Sequence, residues 1–181
     1  NDPVLLIHPP GENYKKIYLN EIENQINIKN RNISIIVGHI NPNRVSLLRR
    51  LSNTYEDLTL ICTQPGAKLL TDIWTQKNSL LIENKEQIIA IPKLKVIKKR
   101  EVISWGDKYQ LHLIPIPTAR WPGGLIVFEK NLGLLMSDKL FGAHICTEDW
   151  SEINSISTEE ERRHYFDCLM ASMTSQIQII I

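Results

Sequence analysis

Hydrophobic and polar positions follow two rhythms along this chain, and the change of rhythm near residue 80 divides it. Before that point, a short apolar run gives way to helical spacing three times over. Val4 to His8 is apolar and closed by Pro9-Pro10-Gly11, after which Tyr14 to Ile26 carries apolar residues at helical intervals. Ile33 to Val37 repeats the strand, and Arg44 to Leu51 sets Val45, Leu47, Leu48 and Leu51 on one helical face. Leu58 to Cys62 is the third strand and Ala67 to Trp74 the third helix. Three successive βα units predict parallel strands with helices packed outside, so functional loops belong at the carboxyl ends of the strands. Gly38-His39 and Thr63-Gln64-Pro65-Gly66 occupy such ends.

Beyond residue 80 the apolar runs shorten and helical spacing disappears. Gln87 to Ile91, Glu101 to Trp105, Gln110 to Ile116, Leu125 to Glu129 and Leu134 to Met136 read as strands of an antiparallel meander, separated by Pro, Gly, Asp and Asn turns. Thr158 to about Gln178 reads as a closing helix, with Ser157 or Thr158 as its cap and Glu159-Glu160-Glu161 in its first turn. The whole is an α/β chain: βα repeats, then a β meander, then a long helix.

Composition narrows the partners more than the fold. A length of 181 residues fits one domain able to bury a core without disulfides, and a net charge of +1 argues against a general polyanion binder. The basic cluster Lys93, Lys95, Lys98, Lys99 and Arg100 lacks interleaved aromatics and reads as a solvated hairpin, open at most to an acidic electron donor. Nucleic acid is not an expected partner. Cys62, Cys146 and Cys168 are odd in number and widely spaced, which favours a reducing compartment. No run of about 18 apolar residues is present and the start lacks a basic-then-apolar leader, so the sequence reads as cytoplasmic, without a membrane span.

The chemistry-bearing residues sit in three loops. The first, Gly38-His39-Ile40-Asn41-Pro42-Asn43-Arg44, has the spacing of a two-metal site, for which alternate residues of a strand-end turn would serve one metal and a final pair the second. Only His39 has the chemistry to match. Asn41 and Asn43 offer neutral amides where carboxylates belong, and Arg44 is a permanent cation. The second loop is Pro117-Thr118-Ala119-Arg120-Trp121-Pro122-Gly123-Gly124, and the third Ser137-Asp138-Lys139-Leu140-Phe141-Gly142-Ala143-His144.

Taken in order, these three loops resemble the metallo-β-lactamase-like domain of the flavodiiron proteins, and within that family the diflavin flavoproteins of oxygenic phototrophs. Cys62-Thr63-Gln64-Pro65-Gly66-Ala67-Lys68 and Tyr165-Phe166-Asp167-Cys168-Leu169-Met170 fit the intervening segments, so the likeness runs over nearly the whole chain. It implies an αββα sandwich, with residues 1–181 as one partial domain. In ligand-complete members it also implies a di-iron centre and reduction of dioxygen to water or of nitric oxide. The electrons come from FMN on a separate flavodoxin-like module.

Carried over by position, His39 matches the first iron ligand and Asp138 the bridging carboxylate. Asn41, Asn43, Arg44 and Arg120 fall where ligating members have Glu, Asp, His and His. The last ligand histidine has no counterpart, and His144 reads as a histidine supporting the site from behind or buried in the core. Relative to a ligating site the substitutions add roughly four units of positive charge. At an effective dielectric of about 20, a unit pair at 4 Å interacts by about 4 kcal/mol, so a dication is repelled. Arg44 or Arg120, forked onto Asp138 with His39 and the asparagines around them, would close the pocket instead.

The expected function is therefore a component of a flavodiiron-type oxidoreductase, a photoprotective electron sink that reduces dioxygen. The isolated chain would be inactive and bind no cofactor of its own. It would work head to tail in a homo- or hetero-oligomer with a ligand-complete subunit. The alternative is a non-catalytic dimerisation or scaffold domain, or a decayed fragment.

Other motifs are weaker. Glu161-x-x-His164 has di-iron bundle spacing but stands beside Arg162 and Arg163 and reads as a solvated face. His8 and His112 read as structural, and Cys62 as a small buried apolar residue.

Overall fold

The computed structural model describes residues 3–26, 31–76, 90–116, 120–143, 158–171, 175 and 178. Four parallel strands, β1 (Val4–Ile7), β2 (Ile33–Ile36), β3 (Leu58–Thr63) and β4 (Lys93–Ile97), lie in sequential order in the first sheet. Helices α1 (Lys15–Gln25), α2 (Pro42–Thr54) and α3 (Gln64–Thr75) follow β1, β2 and β3. Strands laid down in sequence by crossovers of one hand keep their helices on one face.

The period-two alternation confirms that arrangement residue by residue. Ile33 and Ile35 of β2 and Leu58 and Leu60 of β3 share a buried cluster with Ile22 of α1, Leu47, Leu48 and Leu51 of α2, and Leu70 and Trp74 of α3. Ile36 and Ile61, one step out of phase, point the other way. They meet the second sheet, an antiparallel meander of β5 (Glu101–Trp105), β6 (Tyr109–Pro115), β7 (Leu125–Glu129) and β8 (Leu134–Met136). Leu111, Leu113, Leu125 and Val127 fill the space between the sheets with Ile97. Ile116 and Ile126, on the far face, pack with Leu140 and with Tyr165 and Met170 at α4 (Thr158–Leu169). The layers are helices, sheet, sheet, helix, as the αββα expectation required.

Two expectations are corrected. The basic run 93–100 is no solvated hairpin: Lys93 to Ile97 is a strand, paired in parallel with Thr59 to Thr63 of β3. Its lysines are exposed while Ile97 is buried, a pattern that protects a sheet margin from stray pairing. The strand expected over Gln87 to Ile91 falls partly outside the described residues, and Ala90 and Ile91 are not strand. The closing helix is assigned over Thr158–Leu169, and beyond it the described residues Ser175 and Gln178 are again helical, in keeping with the expected reach to about Gln178; the capping side chains expected at Ser157 and Thr158 lie outside the described residues.

Among the described residues no helix is long and apolar enough to cross a membrane.

Candidate functional site

The carboxyl ends of β1, β2 and β3 meet the end of β8 at one edge of the sandwich, and there the loops converge. β2 runs out through Val37 and Gly38 into His39, and α2 begins at Pro42 with Asn41 as its N-cap. The Asn41 Oδ1 accepts from the Arg44 amide at 2.8 Å, satisfying one of the open donors of the first turn. Asp138, just past β8, has φ 53°, a left-handed backbone that an aspartate tolerates. Its loop is held by α4: the Tyr165 hydroxyl donates to Lys139 O at 2.8 Å, and the Tyr165 ring stacks on Trp121 at 6.5 Å.

Asp138 is the centre of the arrangement. Its Oδ2 accepts from the His39 amide at 2.9 Å and faces His39 Nδ1 at 2.7 Å, while Oδ1 receives both terminal nitrogens of Arg44 at 3.4 Å. The Arg44 Nη1 also donates to His39 O at 3.0 Å. Both side chains of the Arg44–Asp138 pair are more than nine-tenths buried.

The tautomer of His39 follows from its neighbours. Since the Asn41 oxygen is committed to the helix cap, its amide NH2 is what lies 3.1 Å from His39 Nε2, so Nε2 accepts and the proton sits on Nδ1. That proton goes to Asp138. The 3.1 Å approach of Arg44 Nη1 to Nδ1 is then a contact between two donors, and the Arg44 hydrogens serve His39 O and Asp138 instead.

A carboxylate this close to the backbone needs room. A Cβ on Gly38 would stand 2.4 Å from Asp138 Oδ2 and 3.0 Å from His8 Nδ1, so glycine is what lets the carboxylate sit against β2. The second loop closes in likewise: Ile40 N donates to Pro122 O at 3.1 Å, and Gly123 lies against Gly66 at the start of α3.

Electrostatics match the geometry. Burial alone would raise the Asp138 carboxyl, but the hydrogen bonds from His39 and the charge of Arg44 outweigh it and hold the group well below its usual value of 3.8. Burial pulls His8 below its usual 6.5, only partly offset by Asp138, with Arg44 and His39 adding to the fall. Both groups thus bind protons more readily in the unfolded chain. The stability they confer is complete above their unfolded values and is lost as pH falls, through the His8 range first and the Asp138 range afterwards. The Asp138→Asn variant is therefore expected to lose less of its melting midpoint than wild type between about pH 5 and pH 3. Equal losses would show that Asp138 does not govern acid unfolding.

The expected site residues divide. His39, Asn41, Arg44 and Asp138 come together. Arg120 and Asn43 do not: both are exposed, and among the described residues neither joins the network. The cation on Asp138 is Arg44, whose helix carries it inward, whereas Arg120 is near enough to Tyr165 for its charge to bear on that hydroxyl. Asn43 lies beside Gly11, outside the pocket. His144 lies outside the described residues.

Sequence reasoning set His8 aside. It follows β1 at φ 52°, with Nε2 3.4 Å from Met136 O. Its signal was position: it ends a strand at the same edge as His39. Cys62 is buried, its thiol pushed up to about 11 by burial, as fits a packing residue.

No family model matches the sequence. Relatives and solved structures do. The chain is 35% identical over 98% of its length to the putative diflavin flavoprotein A 6 of Nostoc, and covers 29% of that protein. Its structure is similar to the metal-soaked Flv1 flavodiiron core of Synechocystis, with TM-score 0.83 and 28% identity, covering 99% of this chain and 42% of that one. It is also similar to a fragment of the putative diflavin flavoprotein A 5 of Nostoc, with TM-score 0.79 and 30% identity, covering 98% and 64%. The chain thus spans less than a third of the length of the curated relatives it matches.

Proposed function

Because the chain belongs to the flavodiiron family, as a segment of its metallo-β-lactamase-like domain, we propose that it serves as a metal-free component of a flavodiiron-type oxidoreductase that reduces dioxygen to water. The observation that carries this reading is the use made of the donor atoms at the ligand positions. The His39 Nε2 lone pair is taken by Asn41, Asp138 Oδ2 by two hydrogens of His39, and Asp138 Oδ1 by the Arg44 fork. An iron ion entering here would have to displace a buried guanidinium and break a helix cap, while meeting the Arg44 charge at close range. The residues present do not fit a di-iron centre, and no step of the chemistry is assigned to this pocket.

Its role is then to assemble. We place the chain head to tail in an oligomer with a ligand-complete flavodiiron subunit, whose iron and FMN carry the electrons. The closed pocket equally suits a scaffold that only holds such an assembly together, and co-assembly separates the two. Adding this chain to a ligand-complete relative is expected to raise oxygen consumption per iron. An oligomer that forms with no change in rate favours the scaffold.

The first test is metal content. Elemental analysis of chelator-washed protein is expected to find iron far below one atom per chain. Close to two irons per chain would overturn the reading.

A further inference from the structure

Away from the pocket, the solvent face of α4 carries an imidazole and a thiol four residues apart. His164 and Cys168 are both exposed, and Cys168 Sγ lies 3.6 Å from His164 Nε2 and 3.8 Å from Nδ1. A pair of ligating side chains at this spacing on one helical face is how a helix presents two donors to one ion. The sulfur stands almost equidistant from the two ring nitrogens and off both lone pairs, so binding turns the exposed imidazole to aim one nitrogen at the ion. Bonds of about 2.3 Å to sulfur and about 2.0–2.1 Å to nitrogen, at a tetrahedral angle, then hold the two donors about 3.5 Å apart, close to their present separation.

We propose that His164 and Cys168 form a surface site for a borderline-soft divalent cation of the zinc class. On binding, the thiol proton is released to solvent and the thiolate and one ring nitrogen take two positions of a tetrahedral ion. Among the described residues no three His, Cys, Asp or Glu side chains are grouped for a metal, so water fills the remaining positions. Glu161 lies two turns before Cys168 on the same face and adds negative charge nearby, while Arg163 is turned to Glu159 at 3.4 Å. Thiolate and imidazole select zinc over magnesium or calcium, which demand oxygen donors. This site is independent of the proposed function, since it shares no residue with the closed pocket.

The test is a cobalt titration of the reduced chain, read by absorbance. Wild type is expected to develop a thiolate-to-cobalt charge-transfer band that zinc abolishes. Cys168→Ser should lose the band, and His164→Ala should bind cobalt at least tenfold more weakly, with both melting midpoints unchanged in the absence of metal. A band that survives Cys168→Ser belongs to another cysteine, and one indifferent to His164→Ala is a simple thiol adduct; either overturns the site. A variant-free check uses wild type alone: zinc, but not magnesium, should slow alkylation of Cys168 as mapped by peptide mass, and an unchanged rate sinks the proposal.

Discussion

Replacing Arg44 with methionine is expected to lower the stability of the chain by about 3 kcal/mol, enough to move its melting midpoint by several degrees. The Asp138 carboxylate is 7% exposed at the side chain, and Arg44 is the cation within ion-pair distance of it. Removing one partner of a buried pair leaves an uncompensated charge, which typically costs about 3–5 kcal/mol. The lower figure applies here for two reasons. His39 still donates two hydrogen bonds to Oδ2, and the Arg44 Nε is itself buried without a partner among the described residues, so the wild-type pair is not ideally satisfied. Arg44→Lys should recover part of the loss, because an ammonium supplies charge but not the fork.

Arg120→Ala provides the contrast, since an exposed side chain away from the network should change stability by no more than about 0.5 kcal/mol. Equal effects of Arg44→Met and Arg120→Ala in thermal unfolding would refute the assignment of the ion pair.

That contrast marks how far the sequence could be read. The family resemblance alone puts both arginines at expected histidine positions, and nothing in their spacing separates them. What separates them is the helix that begins at Pro42: its capped first turn carries Arg44 inward as the third helical residue, whereas Arg120 belongs to an irregular loop. Asn41 shows a related limit. Considered as a ligand position it is a loss of charge, but Asn before Pro is also a strong helix-start pattern. The structure uses it for both cap and pocket, so one amide fixes the helix and the tautomer of His39.

The βα half was legible because its strands are apolar on both faces and its helices keep one apolar stripe, as the partition of Ile35 and Ile36 between two cores requires. β4 escaped because a sheet-margin strand sheds that pattern: its exposed lysines leave only Leu94 and Ile97 to signal burial. The order of the three loops along the chain carried the family likeness.

Gly123→Ala should be as damaging as the loss of Arg44, for reasons of backbone alone. Gly123 has φ +87°, where an L side chain costs about 1–2 kcal/mol. Its added Cβ would stand 2.8 Å from Gly66 Cα and 3.3 Å from Gly38 O, backbone atoms that cannot swing aside. Overpacking of this kind adds about 1–3 kcal/mol, so a total near 3–4 kcal/mol is expected. The strain falls where the second loop meets the starts of α3 and of the His39 loop, so the Ile40 to Pro122 hydrogen bond should weaken and its amide exchange faster with solvent. Gly133→Ala separates strain from crowding: it sits at φ +62° with nothing within 4 Å of the new Cβ, and should lose only the conformational part, about 1–2 kcal/mol. If the two variants melt together, the close approach of Gly123 to Gly66 is not what the fold depends on at this corner.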